Sequence, residues 1–161
     1  MTIGVLFALN STDEQRLKNC HEDDRPNFIG NEIAELYAEE WFCDTDKAWD
    51  AIHRDFNNSL LTYDFANPLQ GVILGGMAMY GDTDYIISYK NADQVIKISE
   101  ALSKVIELDF RTRYFAIAED EYGQRASEDD FAYSWSNLKD LETFYHKAAG
   151  ARRYVVFTAA Q

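Results

Sequence analysis

The chain has 161 residues, 47% of them hydrophobic, and it includes ten phenylalanines, ten tyrosines and three tryptophans. This length and composition predict one folded domain, residues 1–161, and exclude a disordered chain. Fifteen Lys and Arg residues against 28 Asp and Glu residues give a net charge of −13. Such a charge argues against a surface that binds nucleic acid or an anionic membrane.

The sequence also indicates a compartment. No apolar run approaches the roughly 20 residues that a membrane span needs. The first residues, Met1–Gly4, have neither the basic region nor the cleavage site of a secretion signal. Cys20 and Cys43 stand alone, without the CxxC spacing of metal sites, which favours reduced thiols. We therefore expect a cytoplasmic protein.

The first part of the chain predicts a buried strand followed by helices. Ile3–Leu9 is almost wholly apolar, as in a strand that is covered on both faces. Ser11 with Glu14 three residues later matches a capping box, which predicts a short helix to about Asn19. A second helical segment is expected from about Asn31 to Phe42.

The next helix has the clearest amphipathic pattern in the sequence. Asp44–Asp46 places a cap and negative charge at its N-terminus, where the helix dipole favours them. Four residues with the spacing i, i+3, i+4 and i+7 then share one face, namely Trp49, Ile52, His53 and Phe56. Asp50 and Arg54 are four residues apart, and we expect them to pair on the outer face.

The central part of the chain predicts a turn, a strand and a helix. Pro68 opens a short apolar segment that ends at Gly75-Gly76, and residues 84–89 are predicted to form a strand. Asn91 and Gln94 form a second capping-box pattern before a helix, whose predicted buried stripe comprises Val95, Ile98, Leu102 and Val105. Glu100 and Lys104 are expected to pair across one turn of that helix.

The last part of the chain completes the predicted fold. Residues 108–135 predict short helical turns that are broken near Gly123. A final helix is expected from about Ser136 to Gly150, with Leu138, Leu141, Tyr145 and Ala148 buried. Tyr154–Thr158 is a second continuous apolar strand. These elements predict a single-domain, layered α/β sandwich with a small mixed sheet and the N- and C-terminal strands at its centre.

Three segments together carry a resemblance to a known family. They are Asp46–Trp49 with Ile52-His53, Asn67–Leu69 with Ile73–Gly76, and Leu141, Phe144-Tyr145 and Ala148-Ala149 before the last strand. Over most of the chain this combination resembles the YfbM-like family, a bacterial group of unknown function. Family members often have Tyr-Leu-Thr-Pro before the middle helix, where this chain has Tyr89–Ala92 with the sequence Tyr-Lys-Asn-Ala. The resemblance implies an α/β sandwich fold and no established activity.

A cleft near His53 and the Pro68–Gly76 turn is one hypothesis for function. The pKa of a histidine is close enough to neutrality for His53 to act as a base or to hold a ligand by a hydrogen bond. The alternative is a structural histidine that fixes the helix against the following loop. Trp49 is a candidate stacking surface or else a core residue, and Tyr80 and Tyr89 are candidate neighbours in the cleft.

Other motifs supply no catalytic set. His21 and Cys20 are adjacent, and adjacent positions on a helix point about 100° apart, so the two side chains do not converge readily on one metal ion. Gly75-Gly76 lacks the remaining residues of a phosphate-binding loop, and Ser134 and Ser136 lack the GxSxG pattern of hydrolases. The sequence therefore predicts no catalytic residues, no cofactor and no metal site.

The clustering of acidic residues gives the second hypothesis. Runs occur at Glu22–Asp24, Glu39-Glu40, Glu119–Glu121 and Glu128–Asp130. A solvated, self-repelling surface explains them, and the alternative is a docking face for a basic protein partner. Because tyrosine supplies contact area at modest entropic cost, the composition favours a non-catalytic binding protein, such as an immunity-type inhibitor of a basic toxin. The candidate partner-binding residues are Glu119, Asp120, Glu121, Glu128, Asp129 and Asp130.

Overall fold

A five-stranded sheet forms the centre of the protein in the computed structural model, which describes residues 2–160. Met1 and Gln161, the two ends of the predicted domain, lie outside the described residues. The strand order is β2-β1-β5-β4-β3. The strands are β1 (Gly4–Leu9), β2 (Phe42–Asp46), β3 (Met77–Ala78), β4 (Tyr85–Lys90) and β5 (Tyr154–Ala160).

The two terminal strands lie side by side, as predicted. β1 pairs with β5 from Gly4 opposite Ala159 to Leu9 opposite Tyr154, and β5 occupies the central position of the sheet. The prediction of a mixed sheet is wrong, because every pairing among the five strands is antiparallel. A continuous apolar run indicates burial on both faces, but it does not reveal the direction of a strand relative to its neighbour.

Helices cover both faces of the sheet. One face packs against α1 (Ser11–Asn19), α2 (Arg25–Phe28) and α3 (Ala34–Leu36), and a π-helical turn at Ile29–Ile33 joins the last two. The other face packs against the remaining helices, which are α4 (Ala48–Phe56), α5 (Ala92–Leu102), α6 (Glu107–Tyr114), α7 (Glu119–Tyr122) and α8 (Glu128–Gly150). The layered α/β architecture of the prediction is confirmed.

Alternation along the strands divides the core into two halves. Leu6 and Ala8 of β1 face the α4–α8 side, whereas Phe7 and Leu9 face the α1–α3 side. In a strand, successive side chains point to opposite faces, so an apolar run of this kind supplies both layers at once. The sheet is therefore buried on both sides, which explains the absence of polar residues in β1.

Two predicted helix boundaries are wrong because a strand lies between them. The helical segment that was expected to reach Phe42 ends at Leu36, and residues 42–46 form strand β2. Asp44 and Asp46 point outward from this edge strand while Cys43 and Thr45 point inward. The acidic residues that resemble a helix cap are thus the exposed half of a strand alternation.

One predicted helix N-cap is confirmed, and two other helices begin at residues that differ from the predicted ones. Asn91 and Gln94 form the expected reciprocal capping box of α5. The cap of α1 is Asn10, whose side chain accepts the Asp13 amide, and not Ser11. Helix α8 begins after Ser127, which accepts the Asp130 amide, so it starts about two turns before the predicted residue, Ser136.

The two predicted helical ion pairs also differ from expectation. Arg54 Nε donates to Asp50 Oδ1 at 2.6 Å, but both residues are buried rather than on an outer face, because all nine residues of α4 are buried. Within residues 2–160, Glu100 and Lys104 form no ion pair with each other. No helix in the described part of the chain is long and apolar enough to cross a membrane.

Candidate functional site

His53 lies inside the protein, at the last turn of α4. Its side chain packs beside the turn that follows Val72, and the residue is 1% exposed. Its Nδ1 atom lies 3.1 Å from Asn57 Nδ2 and 3.4 Å from the Leu74 backbone nitrogen. Because both neighbours are N–H donors, Nδ1 accepts and the neutral ring carries its proton on Nε2.

The electrostatics of this position keep the ring neutral. Burial lowers the pKa of His53 to about 3, and the positive charge of Lys90 adds to this effect, while the Thr62 backbone opposes it. A general base that works near neutral pH needs a pKa near that pH and access to a substrate. His53 has neither, so its contacts fix α4 to the turn at Leu74.

Lys90, at the end of β4, is the least expected member of this region. It is fully buried, its Nζ atom donates to the Ile73 carbonyl, and burial lowers its pKa well below the ordinary value of 10.5. Two residues earlier, Ser88 Oγ donates to the Leu74 carbonyl at 2.6 Å. The strand thus presents two donors to one turn, and these bonds satisfy carbonyls that would otherwise be buried without a partner.

The structure does not bring the four candidate ligand-binding residues together. Trp49 is 2% exposed, packs on Phe157, and donates from Nε1 to the Thr2 carbonyl at 2.8 Å. Tyr89 is also buried, but it belongs to the opposite face of the sheet, where its hydroxyl donates to Glu14 Oε1 at 2.8 Å. Tyr80 lies on that face as well, close to the surface. Within residues 2–160, His53, Trp49 and these tyrosines therefore do not line a common cleft.

Tyr80 instead lines an acidic cleft that the sequence did not predict. The cleft has a volume of about 360 Å³, and its walls come from two segments, Glu22-Asp23 and Tyr80–Thr83. Partial burial raises the pKa of Tyr80. Four negative charges raise it further, namely those of Asp82, Asp23, Asp84 and Glu22. Carboxylates from two distant parts of the chain therefore surround one tyrosine.

Arg25 holds the two walls of this acidic cleft together. Its guanidinium donates to the Met79 carbonyl at 2.8 Å and to the carbonyls of Leu17 and Lys18 at 3.3 Å. The contacts tie the segment after α1 to the loop that precedes β4. The two segments lie close together at Gly81, where a Cβ atom would be 3.0 Å from Oε1 of the exposed Glu22 side chain.

The predicted partner-binding acids at α7 and at the start of α8 differ in whether they contact basic side chains. Glu119, Asp120 and Asp129 are exposed and form no ion pair within the described residues. Glu128 binds Arg111, and Glu121 lies 3.8 Å from Arg54. These two acids are thus partly neutralised by neighbouring arginines.

Asp130 has an internal partner set of its own. Its Oδ2 atom accepts the hydroxyls of Tyr114 and Tyr122, the second at 2.7 Å. This carboxylate therefore links α6 and α7 to α8. Burial raises the pKa of both tyrosines, and the hydrogen bond to Asp130 and its negative charge raise it further.

The cysteines and metal-ligand residue types show no reactive arrangement in the described chain. Cys20 and Cys43 are unbridged. Burial, with the added charges of Asp140 and Asp44, raises the pKa of the Cys43 thiol to about 12, so it remains protonated at neutral pH. Across residues 2–160, no group of three or more His, Cys, Asp and Glu side chains is placed to hold a metal ion.

Fold and surface together define a class of protein: an α/β sandwich built on an antiparallel five-stranded sheet, with acidic surface clusters and a buried histidine. A family model described as a domain of unknown function (DUF1877) matches residues 1–158, and the chain belongs to this family. The YfbM-like resemblance of the sequence is thereby confirmed.

A solved structure supports the same fold. YfbM from Escherichia coli, described as a protein of unknown function, superposes with a TM-score of 0.71 at 16% identity, over 98% of this chain and 99% of that one. At this identity the similarity establishes the fold alone. No curated protein matches the chain.

Proposed function

We propose that this chain is a non-catalytic, acidic binding protein that docks a basic protein partner at the acidic cleft around Tyr80. One observation carries the proposal: Glu22 and Asp23 are far from Asp82 in the sequence, yet all three line one cavity, and Asp84 lies near enough for its charge to act on Tyr80 in the same cavity. Complementary charge raises association rates and selects partners.

The carboxylates of the acidic cleft are available to a partner. Within residues 2–160, Glu22, Asp82 and Asp84 form no ion pair, and Asp23 lies 3.7 Å from Nδ1 of the exposed His21. A lysine or arginine side chain entering the cavity would meet several carboxylates and the face of Tyr80. Charge-assisted hydrogen bonds and cation–π contact both favour that arrangement.

The exposed acids at α7 and α8 extend the same chemistry. In the described part of the chain, Glu119, Asp120 and Asp129 have no ion-pair partner, and their negative charge would steer a basic partner at long range even without direct contact. An immunity-type inhibitor of a basic toxin has these properties. We place the protein in the cytoplasm, a location that the unbridged Cys20 and Cys43 support.

Affinity capture from native lysate, at low and at high salt, tests the proposal with two matched variants. The first neutralises the acidic cleft with Glu22→Gln, Asp23→Asn, Asp82→Asn and Asp84→Asn. The second changes net charge equally, and also replaces one glutamate and three aspartates, at exposed positions elsewhere: Glu35→Gln, Asp64→Asn, Asp93→Asn and Asp140→Asn.

We expect a basic protein to bind the wild type and the second variant at low salt, and to be lost from the first variant and at high salt. Equal capture of the partner by the two variants would contradict docking at the acidic cleft. An equal loss of the partner from both variants would show that binding depends on net charge alone. A third variant, Glu119→Gln with Asp120→Asn and Asp129→Asn, separates steering from contact, because steering changes the association rate more than the dissociation rate.

A further inference from the structure

A second cavity is lined by basic and apolar side chains together with two acidic ones. It has a volume of about 410 Å³ and lies between the 3-10 turn at Pro68–Val72, helix α5 and helix α6. Small-molecule sites generally measure about 300–1,000 Å³, so the size suits a small ligand. Its apolar walls come from Leu69, Ala101 and Val105, and its basic groups are Lys97, Lys104 and Arg113.

Arg113 is held in a fixed position at the edge of this cavity. Its Nε atom donates to Asp55 Oδ1 at 2.7 Å, and the Asp55 side chain is completely buried. Its guanidinium also lies over the Phe56 ring, with 5.4 Å between the guanidinium carbon and the ring centroid. An arginine that is positioned in this way loses little further entropy when it binds a ligand.

The binding capacity of Arg113 is only partly used. The pair with Asp55 runs through Nε alone, and Asp55 Oδ2 has no hydrogen-bond partner in the described chain. Neither terminal nitrogen of the guanidinium makes a hydrogen bond to any of residues 2–160. These two nitrogens form the planar fork that matches a carboxylate or a phosphate.

The two lysines line the same cavity from neighbouring segments. Lys97 lies in α5, and Lys104 lies in the turn that follows the last residue of that helix, Leu102. Neither forms an ion pair within the part of the chain that the structure describes. Glu100 and Asp109 also line the cavity, and Arg113 is already paired with Asp55, so the basic groups without an ion-pair partner in the described chain are the two lysines.

We propose that this cavity binds a small amphipathic anion. The anionic head group, a carboxylate or a phosphate, pairs with the terminal nitrogens of Arg113 and with the two lysines. A short aliphatic chain packs on Leu69, Ala101 and Val105. This site is independent of the acidic cleft, which attracts ligands of the opposite charge, and it shares no lining residue with that cleft.

Calorimetric titration of the whole protein tests the site with defined probes. Octanoate and octyl phosphate are the two anionic arms, and they distinguish the carboxylate from the phosphate. Octyltrimethylammonium and octyl glucoside carry the same chain with a positive or a neutral head group, and inorganic phosphate carries charge without a chain. We expect saturable binding of at least one anionic amphiphile and none of the other three probes.

Two lysine variants make the test specific. Lys97→Gln with Lys104→Gln removes two exposed cavity charges, and Lys47→Gln with Lys139→Gln removes two exposed charges elsewhere. We expect the first pair to weaken binding of the anionic amphiphile at least about tenfold, as the loss of one good charge-assisted contact would, and the second pair to leave it unchanged. Unfolding curves of both variants confirm that each remains folded.

A third variant separates head-group binding from chain binding. Ala101→Phe fills the apolar part of the cavity and should abolish binding of the octyl chain. Three results would overturn the proposal: no saturable binding of either anionic amphiphile to the wild type, equal binding by the Lys97→Gln/Lys104→Gln variant, or equal binding of octyltrimethylammonium. Binding that Ala101→Phe leaves unaffected would contradict the aliphatic contact.

Discussion

Two regions of this protein concentrate polar groups, and they use them in opposite ways. Around the turn at Ile73 and Leu74, the side chains of His53, Ser88 and Lys90 are buried, and they form hydrogen bonds with the backbone of the turn. His53 accepts the Leu74 amide, while Ser88 and Lys90 donate to the carbonyls of Leu74 and Ile73. At the surface, the acidic cleft around Tyr80 and the cavity beside Arg113 expose charges whose hydrogen-bonding capacity is largely unused.

The buried polar groups contribute to the stability of the fold, whereas the exposed charges are available for binding. A buried polar group without its partner costs roughly 1–3 kcal/mol, so the internal hydrogen bonds of the first region stabilise the fold. In the described chain they do not include His53 Nε2 or Asn57 Oδ1, which have no hydrogen-bond partner. An exposed charge costs little and keeps its affinity for an external group. We therefore expect substitutions in the buried region to change the free energy of unfolding, and substitutions at the surface to change binding.

The largest expected effect is that of His53→Ala. This change removes a fully buried ring and the acceptor for the Leu74 amide, so the free energy of unfolding should fall by about 3–4 kcal/mol in urea denaturation. His146→Ala, at an exposed position of α8, is the control and should cost less than about 0.5 kcal/mol. Similar stabilities for the two variants would show that His53 is not structural.

Gly76→Ala should come second. Gly76 has φ of +139°, a conformation that residues with a Cβ rarely adopt, and a Cβ atom there would lie 2.4 Å from the Tyr89 carbonyl oxygen. We expect a loss of about 2–3 kcal/mol, measured by the midpoint of denaturant unfolding. Gly30→Ala is the matched control, because no atom lies within 4 Å of a Cβ at that helical position. A loss as large at Gly30 would refute the steric explanation.

The pH dependence of stability gives a third test. The folded-state pKa of His53 is about 3 and its ordinary value is 6.5, so the unfolded chain binds more protons between these two values. The stabilisation by neutral His53 is therefore complete above about pH 6.5 and disappears as the pH falls towards 3. His53→Asn keeps an acceptor near the Leu74 amide but does not titrate.

The quantity to measure is the difference in the free energy of unfolding between wild type and His53→Asn at each pH. We expect this difference to shrink steadily as the pH is lowered from 6.5 to 4, and to be constant above 7. Taking a difference cancels titrations that both proteins share, such as that of Asp55, whose pKa burial raises to about 7. A difference that is independent of pH would contradict a buried, neutral histidine.

The smallest effect on stability should come from the acidic cleft. The variant with Glu22→Gln, Asp23→Asn, Asp82→Asn and Asp84→Asn removes repulsion between exposed carboxylates, of which only Asp23 lies beside a basic side chain of the described residues, the exposed His21. Its thermal midpoint at low salt should stay within a few degrees of wild type or rise slightly, and salt should remove the gain. A large loss of stability would assign these acids to the fold instead of to binding.

Most of the fold could be predicted because its signals are local. The apolar runs of β1 and β5 and the Asn91–Gln94 capping box each lie within a few adjacent residues. Strand β2 was missed because its outward residues, Asp44 and Asp46, also match a helix cap. The inward positions Cys43 and Thr45 alternate with these acids, and this period of two is the signal that could have identified the strand.

The candidate sites could be predicted only in part, because they depend on which segments the sheet brings together. His53 was identified from its helix, but its burial follows from the packing of the turn at Leu74. No local pattern distinguishes the buried Lys90 from an exposed lysine. Likewise, Asp82 and Glu22 meet because the loop between β3 and β4 packs beside the segment after α1 on the α1–α3 side of the sheet, and this packing is not encoded locally.

We propose that this protein presents the exposed carboxylates of the acidic cleft to a partner, and not the buried imidazole of His53. The decisive experiment is an NMR titration with a short peptide of alternating lysine and arginine. We predict that amide shift changes concentrate at residues 21–25 and 79–84 and disappear at high salt. Changes spread evenly over the exterior, or centred on the turn beside His53, would contradict it.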